Sequence, residues 1–193
     1  MKQLEEKILR EGKVLRGEIL KVDSFLNHQV DVAFAKEIGE EFFRLFQDKG
    51  VTKILTAEAS GIIFGYTAAQ AFGNLPLVFA KKKGAGNMSA DQYTAKCYSY
   101  TRRNDYTLSV AKEYLSSADT VLIIDDFLAN GAALSALVDI VRQSGASIAG
   151  CGVVIEKRFQ HGRDRVEARG IKVISLACIE RMEENGIVFA EEE

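Results

Sequence analysis

The stretch Val121-Leu122-Ile123-Ile124-Asp125-Asp126-Phe127-Leu128-Ala129-Asn130-Gly131-Ala132-Ala133 carries the fold. Four apolar residues in a row read as a strand buried on both faces, Val121 to Ile124, and a helical pattern resumes from Ala132 to Ser144. Between them stand two acids and then small residues, so carboxylates and free backbone amides gather at one end of a strand. In open α/β sheets that is the edge where ligands bind. Small residues let backbone N–H groups close on a phosphate, and the helix from Ala132 turns its partial positive end toward the same anion. Adjacent carboxylates accept hydrogen bonds from neighbouring hydroxyls, as a ribose diol offers them. The segment is shaped for a ribose 5-phosphate. The plainer alternative is a first helical turn bearing two solvated acids. A nucleotide-hydrolase strand ending in acids is excluded, because no Gly-x-x-x-x-Gly-Lys-[Ser/Thr] occurs in the 193 residues.

Working outward, the chain alternates. A charged amphipathic helix over residues 3 to 11 ends at Gly12, and residues 13 to 30 are irregular or short strand pieces. A helix runs from the N-cap candidate Asp31 to Lys49-Gly50, with Val32, Ala35, Ile38, Phe42, Leu45 and Phe46 on one face. Strand Lys53 to Ala57, helix Ile62 to Phe72 and strand Leu77 to Ala80 follow. Beyond the quoted motif come strand Ile148 to Ile155, helix Arg163 to Arg169 and strand Lys172 to Leu176. This rhythm predicts a parallel sheet with helices on both faces. Between Lys81 and Ala118 it breaks. Lys81-Lys82-Lys83-Gly84-Ala85-Gly86-Asn87 leads into β-like segments Tyr93 to Thr101 and Tyr106 to Val110, joined by a turn at Arg103-Asn104-Asp105. A lid and an ordinary edge hairpin are both compatible with such an insertion.

Composition narrows the function. At 47% hydrophobic the chain supports one well-buried core, and one domain over residues 1–193 is the expectation. A net charge of −2 argues against a sequence-independent nucleic-acid binder or a polybasic membrane protein. Small molecules are the expected partners, with no nucleic acid and no membrane. Apolar runs are too short for a membrane helix and the first residues lack a secretory signal, which points to the cytoplasm. Cys97, Cys151 and Cys178 are too widely spaced for zinc or disulfide frameworks and read as small apolar residues.

Other positions gain meaning beside the acid pair. Glu58-Ala59-Ser60-Gly61 is a small-residue turn between strand and helix, able to hold an anion or simply to cap the helix. Lys81 follows a strand, where a cation stabilises a leaving anion, although three lysines also make a common solvated loop. Tyr98 and Tyr100 alternate onto one face with Lys96 beside them. Lys157, in Ile155-Glu156-Lys157-Arg158-Phe159, offers an ammonium to carbonyl oxygens, and Phe159 could cover a ring. A solvent-facing Lys-Arg pair is the alternative. Asn27 by itself reads as a turn residue, and His28 and His161 as surface or capping groups.

Val121 to Ala133 resembles the phosphoribosyl pyrophosphate signature of the type I phosphoribosyltransferases. This chain has Asn130-Gly131-Ala132-Ala133 where most of that family carries Thr-Gly-x-Thr, so backbone amides and the Asn130 amide replace the hydroxyls. With Lys21 to Gln29 and Ile155 to Phe159, the likeness extends over nearly the whole chain to bacterial xanthine phosphoribosyltransferases. It implies the type I fold, a central parallel sheet flanked by helices. Residues 1–31 with the C-terminal tail would form a hood, and 81–118 a flexible hairpin loop. It implies transfer of phosphoribosyl from phosphoribosyl pyrophosphate to xanthine in purine salvage, by a homodimer, with Mg²⁺ carried on the substrate and no direct protein ligand. Asp125 and Asp126 would be catalytic. Ala129, Asn130, Gly131, Ala132, Ala133, Ser60, Gly61 and Lys81 would bind phosphoribosyl pyrophosphate, and Leu20, Asn27, Lys157 and Phe159 the base. Competing expectations are a preference for guanine, hypoxanthine or adenine, and a non-catalytic sensor that regulates transcription. The sensor needs a DNA-reading domain, and no helix-turn-helix is evident before the first core strand.

Overall fold

The computed structural model describes residues 1–83, 91–99, 104–183 and 186–191. Gly84 to Asn87, Tyr100, Thr101 and Arg103 lie outside them, and with them that part of the expected loop and turn. Five α-helices are described: α1 (Lys2–Glu11), α2 (Val32–Phe46), α3 (Gly61–Ala71), α4 (Ala132–Ser144) and α5 (Gly162–Glu167). The strands are β1 (Lys13–Leu15), β2 (Ile19–Lys21), β3 (Lys53–Ala57), β4 (Leu77–Lys83), β5 (Gln92–Ser99), β6 (Asn104–Ala111), β7 (Thr120–Leu128), β8 (Ser147–Lys157), β9 (Val173–Glu183) and β10 (Gly186–Phe189).

The main sheet has the order β10-β9-β8-β7-β3-β4-β6-β5, and β4, β3, β7, β8 and β9 run parallel. Strand alternation divides the core in two. Ile54, Leu122, Ile124 and Val154 face α1, α2 and α3 through Leu4, Ile8, Ile38, Phe42 and Phe64. Leu55, Val121, Ile123 and Val153 face α4 and α5 through Leu137, Val141 and Val166. Asp31 caps α2 as its position suggested, accepting from the Phe34 N–H at 3.1 Å.

Three expectations are corrected. β7 continues through Leu128, so Asp125 and Asp126 lie inside the strand, where Asp125 pairs with Val153 of β8. β4 extends to Lys83, and Lys81, Lys82 and Lys83 pair with Ser109, Leu108 and Thr107 of β6. The lysines are therefore strand residues, and Asn104 and Asp105 belong to β6 rather than to a turn. Charge does not end these strands because a hydrogen-bonded neighbour continues beside each. β9 likewise runs to Glu183 and turns back into an antiparallel β10 that the residue pattern did not announce. Among the described residues no helix is long and apolar enough to cross a membrane.

The N-terminal residues are fastened onto this frame. The Met1 ammonium donates to the Leu176 carbonyl of β9, and Lys7 donates to Asp31 at 2.9 Å. β1 and β2 form a separate two-stranded ribbon, followed by a single wide helical turn over Asp23–Asn27.

Candidate functional site

From β3 the sheet is built outward in both directions, to β4 on one side and to β7, β8 and β9 on the other. Such a reversal opens a crevice at the strand ends. The turn after β3 and the acids of β7 meet there. A Cβ placed on Gly61 would lie 2.3 Å from Thr56 Oγ1 and 2.9 Å from Asp125 Oδ1, so the first residue of α3 sits directly against the acid. Ser60 precedes α3 without capping it by its side chain, which leaves the helix N-terminus facing the crevice with its positive end uncovered. The turn contains a cis peptide between Glu58 and Ala59. Glu58 Oε1 accepts from the Lys82 N–H at 2.5 Å, tying the turn to β4.

Asp125 is 7% exposed and Asp126 is half-buried. Asp125 Oδ1 accepts from the Asp126 N–H at 3.0 Å. Burial, and then the charge of Asp126, push the Asp125 carboxyl well above the usual range, while Lys82 draws it back. An acid held this way seeks hydrogen-bond donors. Thr56, fully buried beside Gly61, has a hydroxyl with no partner among the described residues.

The small-residue loop closes on itself. Asn130 Oδ1 accepts from the Ala132 N–H at 3.0 Å, and Gly131 takes the left-handed conformation with φ 77° at the start of α4. Glycine tolerates that geometry without a steric penalty. The Ala132 N–H is thus engaged, and the Asn130 side-chain amide keeps its two N–H donors. Gly162 backs the loop: a Cβ there would meet the Ala129 carbonyl oxygen at 2.2 Å and the Gly131 nitrogen at 2.7 Å.

On the other side of the acids, Lys157 ends β8 and donates to the Glu18 carbonyl of the β1–β2 turn at 2.8 Å. Its ammonium lies 5.9 Å from the Phe127 ring centroid. Burial lowers its pKa, with Glu18 opposing the change. Leu20 is buried in the α1–α2–α3 core, and Phe127 and Phe159 pack against that same core. Asn27 is exposed at the end of the wide turn.

Lys81 and Lys82 part company. Strand alternation puts Lys82 on the Ala80 face, over the Tyr106 ring at 5.6 Å and within electrostatic reach of Asp125. Lys81 instead lines a groove of about 500 Å³ with Leu77, Phe79, Val110 and Tyr114. In the hairpin, the thiol of Cys97 donates to the Tyr106 hydroxyl at 2.8 Å. Burial raises both pKa values. Residue patterns missed Thr56, Phe127, Gly162 and the Glu18 carbonyl. The alternation that separates Lys81 from Lys82 was available once β4 was continued through the lysines.

Three comparisons place the chain among known proteins. Residues 23–191 match the model of the phosphoribosyl transferase domain. The xanthine phosphoribosyltransferase 2 of Clostridium botulinum strain Langeland is 51% identical over 189 residues, covering 98% of this chain and all of that one. The xanthine phosphoribosyltransferase of Laribacter hongkongensis is 51% identical with the same coverage. The crystal structure of APRTase from Giardia lamblia complexed with 9-deazaadenine superposes with a TM-score of 0.76 at 22% identity. It covers 91% of this chain and 97% of its own, a likeness of fold.

Proposed function

The chain belongs to the phosphoribosyltransferase family, and from that premise we propose how it transfers the 5-phosphoribosyl group of phosphoribosyl pyrophosphate to xanthine, giving xanthosine 5′-monophosphate and pyrophosphate. The observation that carries the residue assignment is the meeting of Asp125 with Gly61 at the strand-order reversal. It sets a carboxylate pair for a ribose diol against a helix N-terminus for an anion.

Asp125 and Asp126 accept hydrogen bonds from the 2′- and 3′-hydroxyls. The amides of Ala129, Asn130, Gly131 and Ala133 and the Asn130 side-chain amide hold the 5′-phosphate, and the Ala132 N–H stiffens the loop through its bond to Asn130. Ser60, Gly61 and the start of α3 receive the pyrophosphate. Lys82 adds its charge on the Asp125 side of β4, while Lys81, assigned to phosphoribosyl pyrophosphate from its place in the sequence, lines the groove on the other face of that strand. Departure of pyrophosphate leaves an oxocarbenium-like centre, so the site works by positioning two substrates and stabilising the leaving charge. The base is held by Lys157 against its carbonyl oxygens, Leu20 and Phe159 against the ring, and Asn27 on the polar edge. Its lysine has donors to satisfy, for which xanthine presents carbonyl acceptors and an adenine amino group presents none.

Magnesium fits as a passenger on the substrate. No group of three or more His, Cys, Asp or Glu side chains among the described residues is gathered around one point. Mg²⁺ bound through substrate oxygens and water needs no direct protein ligand, which leaves Asp125 and Asp126 to accept from the diol hydroxyls. When bound it neutralises charge on the leaving pyrophosphate. We further propose one domain, with residues 1–31 and the C-terminal tail as a hood over the base and residues 81–118 as the loop that covers the sugar. Cytoplasmic location and a homodimer complete the reading. The half-exposed Phe79 and Tyr114 beside the groove support self-association.

The test is a mass-spectrometric screen of nucleotides formed from phosphoribosyl pyrophosphate, magnesium and a panel of free purines and pyrimidines. Xanthosine 5′-monophosphate as the leading product is expected. A larger kcat/KM for guanine, hypoxanthine or adenine overturns the base assignment, and DNA binding at physiological salt without turnover of any base overturns the enzyme.

A further inference from the structure

Glu156 is the most deeply buried acid among the described residues, at 1% exposure, and its only cationic partner is Arg163 at the second position of α5. The pairing is a two-pronged fork. Arg163 Nε donates to Oε1 at 3.0 Å and Nη2 to Oε2 at 2.5 Å. Nη2 also reaches Ser175 Oγ at 3.0 Å, and Nη1 reaches the Val173 carbonyl at 2.8 Å and Glu167 Oε1 at 3.4 Å. The Ser175 hydroxyl donates back to Glu156 Oε2. All five guanidinium N–H groups are used, so α5 is fixed to β8 and β9 in one orientation.

The residue just before Arg163 is Gly162, whose backbone lies against the small-residue loop. A Cβ on Gly162 would meet Ala129 O and Gly131 N, and one on Gly131 would meet Gly162 O at 2.7 Å. Two glycines face each other with no side chain between them. Any movement of α5 is therefore passed directly to the loop. Glu156 itself pairs in register with Leu128, the residue preceding Ala129. The two residues of the ion pair thus adjoin, Glu156 in register and Arg163 in sequence, the residues that flank the loop on its strand side and its helix side.

We propose that Arg163, held by Glu156, is a positioning residue for the 5′-phosphate loop, acting through the backbone contact between Gly162 and Gly131. This rests on the functional reading above, since it assigns the loop its phosphate. A buried ion pair adds little net stability against an apolar replacement, whereas the fork fixes geometry. Its effect therefore falls on phosphoribosyl pyrophosphate and spares the base, although Glu156 adjoins Lys157 in sequence.

The experiment measures KM for each substrate, kcat, and the calorimetric Kd for phosphoribosyl pyrophosphate with magnesium, in Arg163→Lys, Arg163→Met, Gly162→Ala and Arg169→Ala. Arg169 is the control, because it fastens the segment after α5 to α4, through the Ser135 carbonyl at 2.9 Å and through Asp139, and takes no part in the Glu156 fork. Arg163→Met and Gly162→Ala are expected to raise KM and Kd for phosphoribosyl pyrophosphate roughly ten- to hundred-fold, the scale of an ångström's misplacement. Arg163→Lys should recover part of that loss, and KM for xanthine should stay within about twofold. Should Arg163→Met fail to fold, Arg163→Lys and Gly162→Ala decide. Unchanged phosphoribosyl pyrophosphate affinity in both, equal losses for the two substrates, or an equal loss in Arg169→Ala overturns the proposal alone. A wild-type protein that does not bind phosphoribosyl pyrophosphate overturns the functional reading and this inference with it.

Discussion

The Lys157 ammonium donates to the Glu18 carbonyl at 2.8 Å, joining residues 139 positions apart in sequence. One side chain thereby ties the end of β8 to the β1–β2 ribbon and stands ready to meet a base carbonyl. Lys157→Met keeps much of the stem packing but removes the donor. A hydrogen bond from a charged group contributes about 1.5–3 kcal/mol, so KM for xanthine should rise roughly ten- to hundred-fold. KM for phosphoribosyl pyrophosphate should be nearly unchanged in steady-state kinetics, and hydrogen exchange at residues 13–21 should accelerate. Equal losses for both substrates would place Lys157 outside the base site.

Gly61 admits no side chain. Its Cβ would press on Thr56 Oγ1 at 2.3 Å and Asp125 Oδ1 at 2.9 Å, and Thr56 is fully buried and cannot retreat. Gly61→Ala therefore displaces the acid or the start of α3. The expected result is a loss of kcat/KM for phosphoribosyl pyrophosphate of roughly a hundredfold, with a Tm decrease of roughly 2–8 °C for about 1–2 kcal/mol of strain. Near-normal turnover of Gly61→Ala would show that the turn after β3 is not part of the reaction site.

How much of this was legible depends on the range of the signal. The strand-and-helix rhythm exposed β3 and α4 at their observed bounds, because apolar periodicity is a local property. Strand ends were read short wherever charge appeared, as at Asp125, Lys81 and Glu156, since sheet pairing across the chain outweighs local polarity. The strip β10 was invisible for the same reason: its sheet neighbour among the described residues is β9. At the site, the acids and the glycine loop announced themselves by residue type. Thr56, Gly162 and the Glu18 carbonyl did not, because their meaning comes from what lies opposite them. Glu156 and Arg163 sit seven residues apart in an unremarkable charged stretch, and only the fold turns them into a buried fork.

The raised pKa of Asp125 has a sign that can be measured. Burial and the Asp126 charge raise it in the folded chain above its value in the unfolded one. Ionisation then opposes folding, so the free protein loses stability as pH rises from the unfolded pKa near 3.8 through the folded value. Asp125→Asn removes that charge and keeps an oxygen for the Asp126 N–H. Its Tm at pH 7 should exceed that of the wild type, by roughly 2–4 °C for each kcal/mol relieved, and the two should converge toward pH 4. Activity should fall sharply, because an amide grips the diol less well than a carboxylate. Equal Tm values at pH 7 would mean that Asp125 carries no such burden.

Asn130 combines two tasks that substitution can separate. Its Oδ1 caps the Ala132 N–H at 3.0 Å, and its amide nitrogen is left to the phosphate. Asn130→Asp preserves the acceptor while setting a negative charge beside an anion. Its Tm should match the wild type within about 1 °C, while KM for phosphoribosyl pyrophosphate rises at least roughly tenfold, the effect falling as salt screens it. Asn130→Ala loses the cap, which costs about 1 kcal/mol, and Tm should drop by roughly 2–4 °C. Since the Ala132 N–H is then released toward the phosphate, KM should rise less in Asn130→Ala than in Asn130→Asp. The reverse order, measured at fixed ionic strength, would mean that the loop's shape matters more than the charge it faces, and would move the 5′-phosphate away from Asn130.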